Sequence, residues 1–97
     1  MLSIILSPEA ENDVFNAYEW YEKQCSGLGS EFILCIDAEM HSIKRNPKIC
    51  QTIHKKIRRS VIRRFPYCIF YIEEPDHIRV LSVFHAHKNP STWKRRK

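Results

Sequence analysis

Glycine is scarce in this chain, and long apolar runs are missing from it. Only 2 of the 97 residues are glycine, which leaves no glycine-rich linker and no glycine-rich loop that could cradle a phosphate. No segment reaches the ~18 consecutive apolar residues of a membrane-spanning helix, so no membrane partner is expected. The apolar segment 1–6 has neither a basic region before it nor a small-residue cleavage site. We therefore predict no signal peptide and a cytoplasmic location.

The cysteines are also too widely spaced for a metal site. The chain has 4 of them, separated by 10, 15 and 18 residues, and none forms a Cys-x-x-Cys pair. Structural zinc sites normally use such close pairs, and no other group of histidine, cysteine and acidic residues shows ligand spacing. We predict no metal and no other cofactor. Without a secretory signal, disulfides are not expected either, and the thiols are interpreted as small buried apolar side chains.

The charge is divided between the two halves of the chain. Residues 1–47 carry eight acidic and three basic side chains, whereas residues 48–97 carry thirteen basic and three acidic ones. The net charge of +5 therefore combines −5 with +10. A solvated basic surface is the usual explanation of a charge run. Here the run continues through a strand pattern into the C-terminal tail, which favours an anionic partner for the second half.

The apolar periodicity of the first half predicts a strand and two helices. Alternation over residues 2–6 indicates the strand, and Ser7-Pro8 followed by acidic residues is typical of a helix start. Apolar residues then recur at helical spacing from 14 to 25 and from 28 to about 46. The break between these patterns is only Gly27-Leu28-Gly29, so the helices are expected to form an antiparallel hairpin.

The second half predicts three antiparallel strands. They span about Lys56–Arg64, then Tyr67–Glu73, then His77 to about His85, with turns at Phe65-Pro66 and Glu74-Pro75-Asp76. The last two strands are apolar on both faces and should be central, with one face on the helices and the other covered only in part. The order β-α-α-β-β-β indicates a single α+β domain over residues 1–97, ending in a basic tail at about 89–97.

Several motifs, taken in order, resemble a known family. They are Trp20-Tyr21-Glu22, Gly27-Leu28-Gly29 with Phe32, Pro47, Ile57-Arg58-Arg59, Arg63-Arg64-Phe65-Pro66-Tyr67, Val80 through His85, and Pro90 with Trp93. In this order they resemble the RelE/ParE toxins of bacterial type II toxin–antitoxin systems, also called plasmid stabilisation proteins. The resemblance implies the RelE/ParE-like fold, a small twisted antiparallel sheet with a helical hairpin on one face. It also implies a growth inhibitor held in a hetero-oligomer by a cognate acidic antitoxin.

The family includes two activities, and the residues bear on the choice. RelE-like members cleave mRNA on the ribosome, whereas ParE-like members bind DNA gyrase. Metal-independent RNA cleavage needs proton transfer and stabilisation of the developing phosphorane charge. The candidates for such a site in this chain are Arg58, Arg59, Arg63, His85 and His87.

Matching the family's RNase positions one by one weakens that interpretation. Those positions fall on Arg59, Val61, Cys68, Ala86 and Trp93, and of these only Arg59 is basic. We therefore favour gyrase binding without catalysis. A ribosome-dependent mRNA endoribonuclease is the alternative, and an inactive homologue or plain interaction module is the second alternative.

If the chain acts by binding, a separate set of residues becomes important. We expect contacts with the target or the antitoxin from Arg64, Tyr67, Lys88, Trp93, Arg95 and Arg96. In such a segment an aromatic ring can stack on a nucleobase, while the neighbouring lysines and arginines bind phosphate. The plainer interpretation is that Trp93 covers the edge of the sheet while the basic side chains of the tail remain solvated. Similarly, His85 could be a structural hydrogen-bonding residue instead of a proton carrier.

Overall fold

The protein is a five-stranded sheet with two helices packed against it. The computed structural model describes residues 2–86. In chain order the elements are β1 (Ser3–Leu6), α1 (Pro8–Gln24), α2 (Leu28–Arg45), β2 (Thr52–His54), β3 (Ile57–Val61), β4 (Tyr67–Glu73) and β5 (His77–His85). The spatial order of the strands is β1-β5-β4-β3-β2. The α+β fold class is confirmed, as is the central position of β4 and β5.

The sheet differs from the expected one in three ways. β1 pairs in parallel with β5, so the sheet is mixed, while the β2–β3, β3–β4 and β4–β5 pairs are antiparallel as predicted. The prediction of antiparallel pairing applies to strands that follow one another in the chain. It could not foresee the pairing of β1, because the partner of β1 is distant in sequence. The sequence also gave no sign of β2, because three residues are too few to show alternation. The predicted strand 56–64 is shorter at Ile57–Val61, since Ile62 and Phe65 turn into the core beyond it.

The β4–β5 ladder contains a bulge. Phe70 lies opposite Ser82, but the next residue, Tyr71, lies opposite Val80. Leu81 is therefore an extra residue on β5 with no partner across the ladder. Such a bulge changes which side chains of a strand face a given layer.

The sheet carries a buried apolar cluster on each of its two faces. The helix-facing core includes Ile69 and Tyr71, both 0% exposed, with half-buried Tyr67 packed against it. This confirms β4 as a core strand. The opposite face carries a second cluster whose members are all 5% exposed or less, namely Ile57, Cys68, Phe70, Ile72, Leu81 and Phe84. Ile53 of the unforeseen strand β2 packs against this cluster. On the same face, Val61 of β3 and Ile5 of β1 are 56% and 52% exposed, so this face is covered only in part, as expected.

The four thiols do not share one environment. Cys68 is buried, Cys35 and Cys50 are partly buried, and Cys25 is exposed. The interpretation of all four as buried side chains is therefore wrong. Cys25 caps the C-terminal end of α1, where the chain leaves the helix at the surface.

The helical hairpin is fixed at both ends by side-chain hydrogen bonds. At the start of α1, Ser7 Oγ accepts from Ala10 N at 3.0 Å and donates to Leu81 O at 3.1 Å. The predicted Ser-Pro helix start is confirmed. At the turn, the Glu22 carboxylate accepts from the backbone N–H groups of Gly27 and Gly29, each at 2.9 Å. This carboxylate of α1 therefore caps the free N–H groups of α2.

The turn uses its two glycines for different reasons. Gly27 has φ +89°, in the left-handed region that favours glycine. Gly29 lies where the helices touch, and a Cβ there would stand 2.7 Å from Tyr18 O. The helices approach so closely only because position 29 has no side chain.

We predict that Gly29→Ala destabilises the protein, because the methyl group would push the two helices apart. The expected loss is about 1–3 kcal/mol, the usual cost of overpacking. Urea unfolding followed by circular dichroism measures it. The matched control is Ser30→Ala, at an exposed position one residue further along α2. Equal unfolding midpoints for the two variants would contradict the close approach of the helices.

Candidate interaction site

A cleft opens where α1 meets the end of β5 and the start of β4. It consists of two adjoining hollows of about 250 and 370 Å³, which share the side chains of Trp20, Tyr67 and His85. We call it the aromatic cleft. Its other lining residues are Asp13, Asn16, Ala17, Tyr21, Pro66, Val83 and Phe84.

The walls of the aromatic cleft belong to a continuous cluster of rings. Tyr67 and His85 are cross-strand neighbours with ring centroids 5.5 Å apart. The Tyr67 ring also lies 5.1 Å from Phe32 of α2, and Trp20 lies 5.0 Å edge-on to Tyr21. Trp20 is nevertheless 56% exposed. The cleft therefore offers a partner a large aromatic surface, and its rings pack against further rings of the protein. Such a surface is typical of a protein-binding site.

The floor of the cleft carries a carboxylate, and its position follows from the length of β1. The β1–β5 pairing ends at Leu6 opposite Val80, but β5 continues to His85. Beyond that point α1 replaces the missing strand, and Asp13 Oδ2 accepts a hydrogen bond from Val83 N at 3.0 Å. The pKa of the Tyr67 phenol is raised, first by burial and then by the nearby Tyr21 and Asp13. The described lining of the cleft is thus aromatic, with one carboxylate that accepts a hydrogen bond from β5 and a phenol whose pKa is raised.

The structure brings some of the predicted site residues together and separates others. Tyr67 and His85 meet in the aromatic cleft, whereas Arg58 and Arg59 lie on β3, opposite Tyr71 and Phe70 of β4. The rows of Tyr71 and Tyr67 are roughly 14 Å apart along the strand, and β3 and β5 are roughly 10 Å apart across β4. Neither arginine therefore lies near His85.

Arg58 has a structural partner of its own. Its guanidinium donates to Cys50 O at 2.5 Å and, more weakly, to Lys48 O at 3.4 Å. Beside it, the Tyr71 hydroxyl donates to Pro47 O at 2.8 Å. Burial of the Tyr71 phenol raises its pKa far above the ordinary value, which keeps it a hydrogen-bond donor. Arg58 and Tyr71 thus tie the segment between α2 and β2 to the sheet.

Arg63 and Arg64 form part of a third location. Both line a hollow of about 410 Å³ between α2 and the turn that follows β3, together with Cys35 and Glu39. Arg64 forms an ion pair with Glu31 of α2, and its guanidinium carbon lies 5.5 Å from the centroid of the Phe65 ring. The remaining predicted residues, His87, Lys88, Trp93, Arg95 and Arg96, lie outside the described residues.

Sequence reasoning did not assign Trp20 and Asp13 to the site. Trp20 lies one position away from the apolar stripe of α1, and a large aromatic residue off such a stripe could have been read as a surface contact. Nothing in the sequence marked Asp13, because acidic residues are ordinary in the first turns of a helix. Its bond to β5 appears only when the two elements pack.

Two further properties concern residues 2–86 alone. Within this range no helix is long and apolar enough to cross a membrane. The same residues contain no group of three or more histidine, cysteine, aspartate or glutamate side chains able to hold a metal ion.

Comparison with known proteins assigns the chain to a class and then to a family. Its fold is similar to that of a chain titled "Chromosomal ParDE TA system from P. aeruginosa", which superposes with a TM-score of 0.66, covering 88% of this chain and 96% of that one at 13% identity. At this identity the likeness bears on the fold. The family described as the ParE toxin of the type II toxin–antitoxin system parDE matches residues 4–90. The chain belongs to this family, which confirms the resemblance seen in the sequence. No curated protein sequence matches the chain.

We predict that Arg58→Ala lowers stability while Arg59→Ala changes it little. Arg58→Ala removes the donor to two loop carbonyls, which should cost about 1–2 kcal/mol. Arg59 is exposed, so its loss should stay within about 0.5 kcal/mol. Thermal unfolding of the two variants side by side tests this. Equal melting temperatures would show that the loop does not depend on Arg58.

Proposed function

We propose that this ParE-family toxin stops bacterial growth by binding DNA gyrase and that a cognate acidic antitoxin neutralises it. Membership of the family supports a toxin role. That the target is gyrase, and that an acidic antitoxin neutralises the toxin, are the proposals made here. Binding without catalysis is favoured by the surroundings of His85.

The separation of His85 from the arginines of β3 carries this proposal. A ribonuclease site must bring a proton carrier together with cations that stabilise added negative charge on phosphate. His85 borders the aromatic cleft, whereas Arg58 and Arg59 lie on β3, on the other side of β4. Arg58 is also committed to the loop before β2. The exposed aromatic surface of the cleft suits a protein partner with apolar side chains.

The aromatic character of the cleft bears on which partner it binds. We assign the aromatic cleft, with Trp20 and Tyr67, to the gyrase target, because exposed aromatic side chains are typical central contacts of a protein interface. Arg64 and the tail residues Lys88, Trp93, Arg95 and Arg96 remain proposed contacts with target or antitoxin. A toxin–antitoxin hetero-oligomer is the expected resting form.

The first experiment compares the two family activities directly. Purified protein is added to gyrase with relaxed plasmid, and separately to translating ribosomes followed by primer extension. We expect inhibited supercoiling or trapped gyrase cleavage, together with intact mRNA. New mRNA breaks in the ribosome reaction would replace the proposal with the endoribonuclease alternative. No effect in either reaction would leave an inactive homologue.

We predict that Trp20→Ala weakens gyrase inhibition roughly 10-fold or more, the range expected for a central aromatic contact. The measurement is the concentration that halves supercoiling. The matched control is Phe15→Ala, since Phe15 lies on the same helix and is 55% exposed against 56% for Trp20, but lines neither hollow. We expect less than about a 2-fold change for the control. Equal inhibition by both variants would exclude the aromatic cleft as the gyrase contact.

A further inference from the structure

The segment between α2 and β2 is fastened to the rest of the protein along most of its length. We call residues 46–51 the clamped loop. Five of its six backbone carbonyls accept a hydrogen bond: Asn46 O from Ile49 N (3.2 Å), Pro47 O from the Tyr71 hydroxyl (2.8 Å), Lys48 O and Cys50 O from Arg58 (3.4 and 2.5 Å), and Gln51 O from Arg59 N (3.3 Å). Surface loops of irregular structure usually leave such groups to water.

The donors anchor the clamped loop to the centre of the fold. Tyr71 is 0% exposed and belongs to the central strand β4, and Arg58 lies next to it on β3. The loop is therefore tied by hydrogen bonds to a buried side chain of β4 and a partly buried side chain of β3. Fixing a surface element in advance reduces the entropy that a partner must overcome on binding.

The clamped loop presents an apolar side chain to solvent. Ile49 is 70% exposed, the highest value among the exposed large hydrophobic side chains of the described residues. The Ile49 side chain belongs to neither of the two core clusters. A hydrogen-bonded loop with an exposed isoleucine has the form of a contact that a partner buries.

The chain on both sides of Ile49 is basic in sequence. Residues 44–59 contain seven lysines and arginines and no acidic residue. Beside the loop, a hollow of about 260 Å³ is lined by Lys55, Lys56, Arg58, Thr52 and a single acid, Glu73. An apolar centre with a basic rim matches a segment that is apolar on one side and acidic on the other.

We propose that the clamped loop and the adjoining β2–β3 turn form the docking site for an acidic amphipathic peptide segment. Ile49 is buried against the apolar side of that segment, while Lys55 and Lys56 face its carboxylates. In the function proposed above, the segment belongs to the antitoxin, so this assignment of the partner rests on that proposal. The phosphates of a nucleic-acid backbone would pair with the lysines and arginines of this site, but they would give Ile49 no contact.

The decisive measurement is the dissociation constant for the antitoxin, using as probe the purified product of the acidic reading frame beside the toxin gene. Ile49→Ser should weaken binding roughly 10-fold or more, the factor that loss of a buried apolar contact typically produces. The control Leu34→Ser makes a closely similar change at a side chain that is 67% exposed on α2. It should change the constant less than about 2-fold. Since both side chains are exposed, neither variant is expected to unfold.

A charge reversal tests the basic rim separately. Lys56→Glu should weaken binding in low salt more than Lys23→Glu does, and added salt should reduce the difference because it screens exposed charges. Both lysines are exposed, and Lys23 lies on α1, away from the loop. Equal effects at the two positions would contradict a localised acidic partner.

Two results would overturn the docking site. One is an unchanged dissociation constant in Ile49→Ser. The other is tight binding of a 20-base-pair DNA duplex that Lys56→Glu abolishes and Ile49→Ser does not, which would make this surface a nucleic-acid site. The gyrase assay measures a different interaction, so failure of gyrase inhibition and failure of this docking site are separate outcomes.

Discussion

The mismatch in length between β1 and β5 governs the end of the protein that carries the aromatic cleft. β1 offers four residues for pairing, whereas β5 has nine. The uncovered edge of a central strand needs hydrogen-bonding partners, and α1 supplies them through Ser7 and Asp13. Because side chains satisfy the backbone there, room is left between helix and strand, and the rings of Trp20, Tyr67 and His85 border that room. The aromatic cleft is thus a direct result of where β1 stops.

The features that the sequence predicted are those that depend on local pattern. The bounds of β4 and β5 followed from continuous apolar runs closed by Pro66 and by Glu74-Pro75-Asp76, and the start of α1 followed from Ser7-Pro8. Arg58 shows where such reasoning ends. Its basic side chain on a strand suggested phosphate chemistry, but its hydrogen bonds go to carbonyls eight and ten residues earlier in the chain. Which carbonyls lie within reach of a guanidinium depends on packing, and no local pattern encodes that.

The same limit applies to Ile49 and Asp13. An isoleucine among basic residues predicts nothing until the loop that carries it is known to be fixed, and an aspartate early in a helix is expected for reasons unrelated to β5. Strand β2 was missed because three residues do not establish a period. The parallel β1–β5 pair joins segments more than seventy residues apart, so only tertiary structure could reveal it.

The two candidate surfaces lie at different places on the sheet. The aromatic cleft borders Tyr67 at the start of β4, whereas the clamped loop is held by Tyr71, four residues further along that strand. The cleft, the clamped loop and the hollow beside that loop share no described residue, so a partner on one surface leaves the residues of the other available.

The bulge at Leu81 determines which way the end of β5 faces. Side chains alternate along a strand, so one extra residue exchanges the two faces for everything beyond it. Val83 and His85 lie on the helix side, next to Tyr67, only because Leu81 and Ser82 together occupy the place of one residue opposite β4. A relative that lacked this single residue would turn its histidine to the far layer of the sheet and its phenylalanine towards the helices. The length of the chain at this point, and not the kind of residue there, sets the chemistry of the cleft.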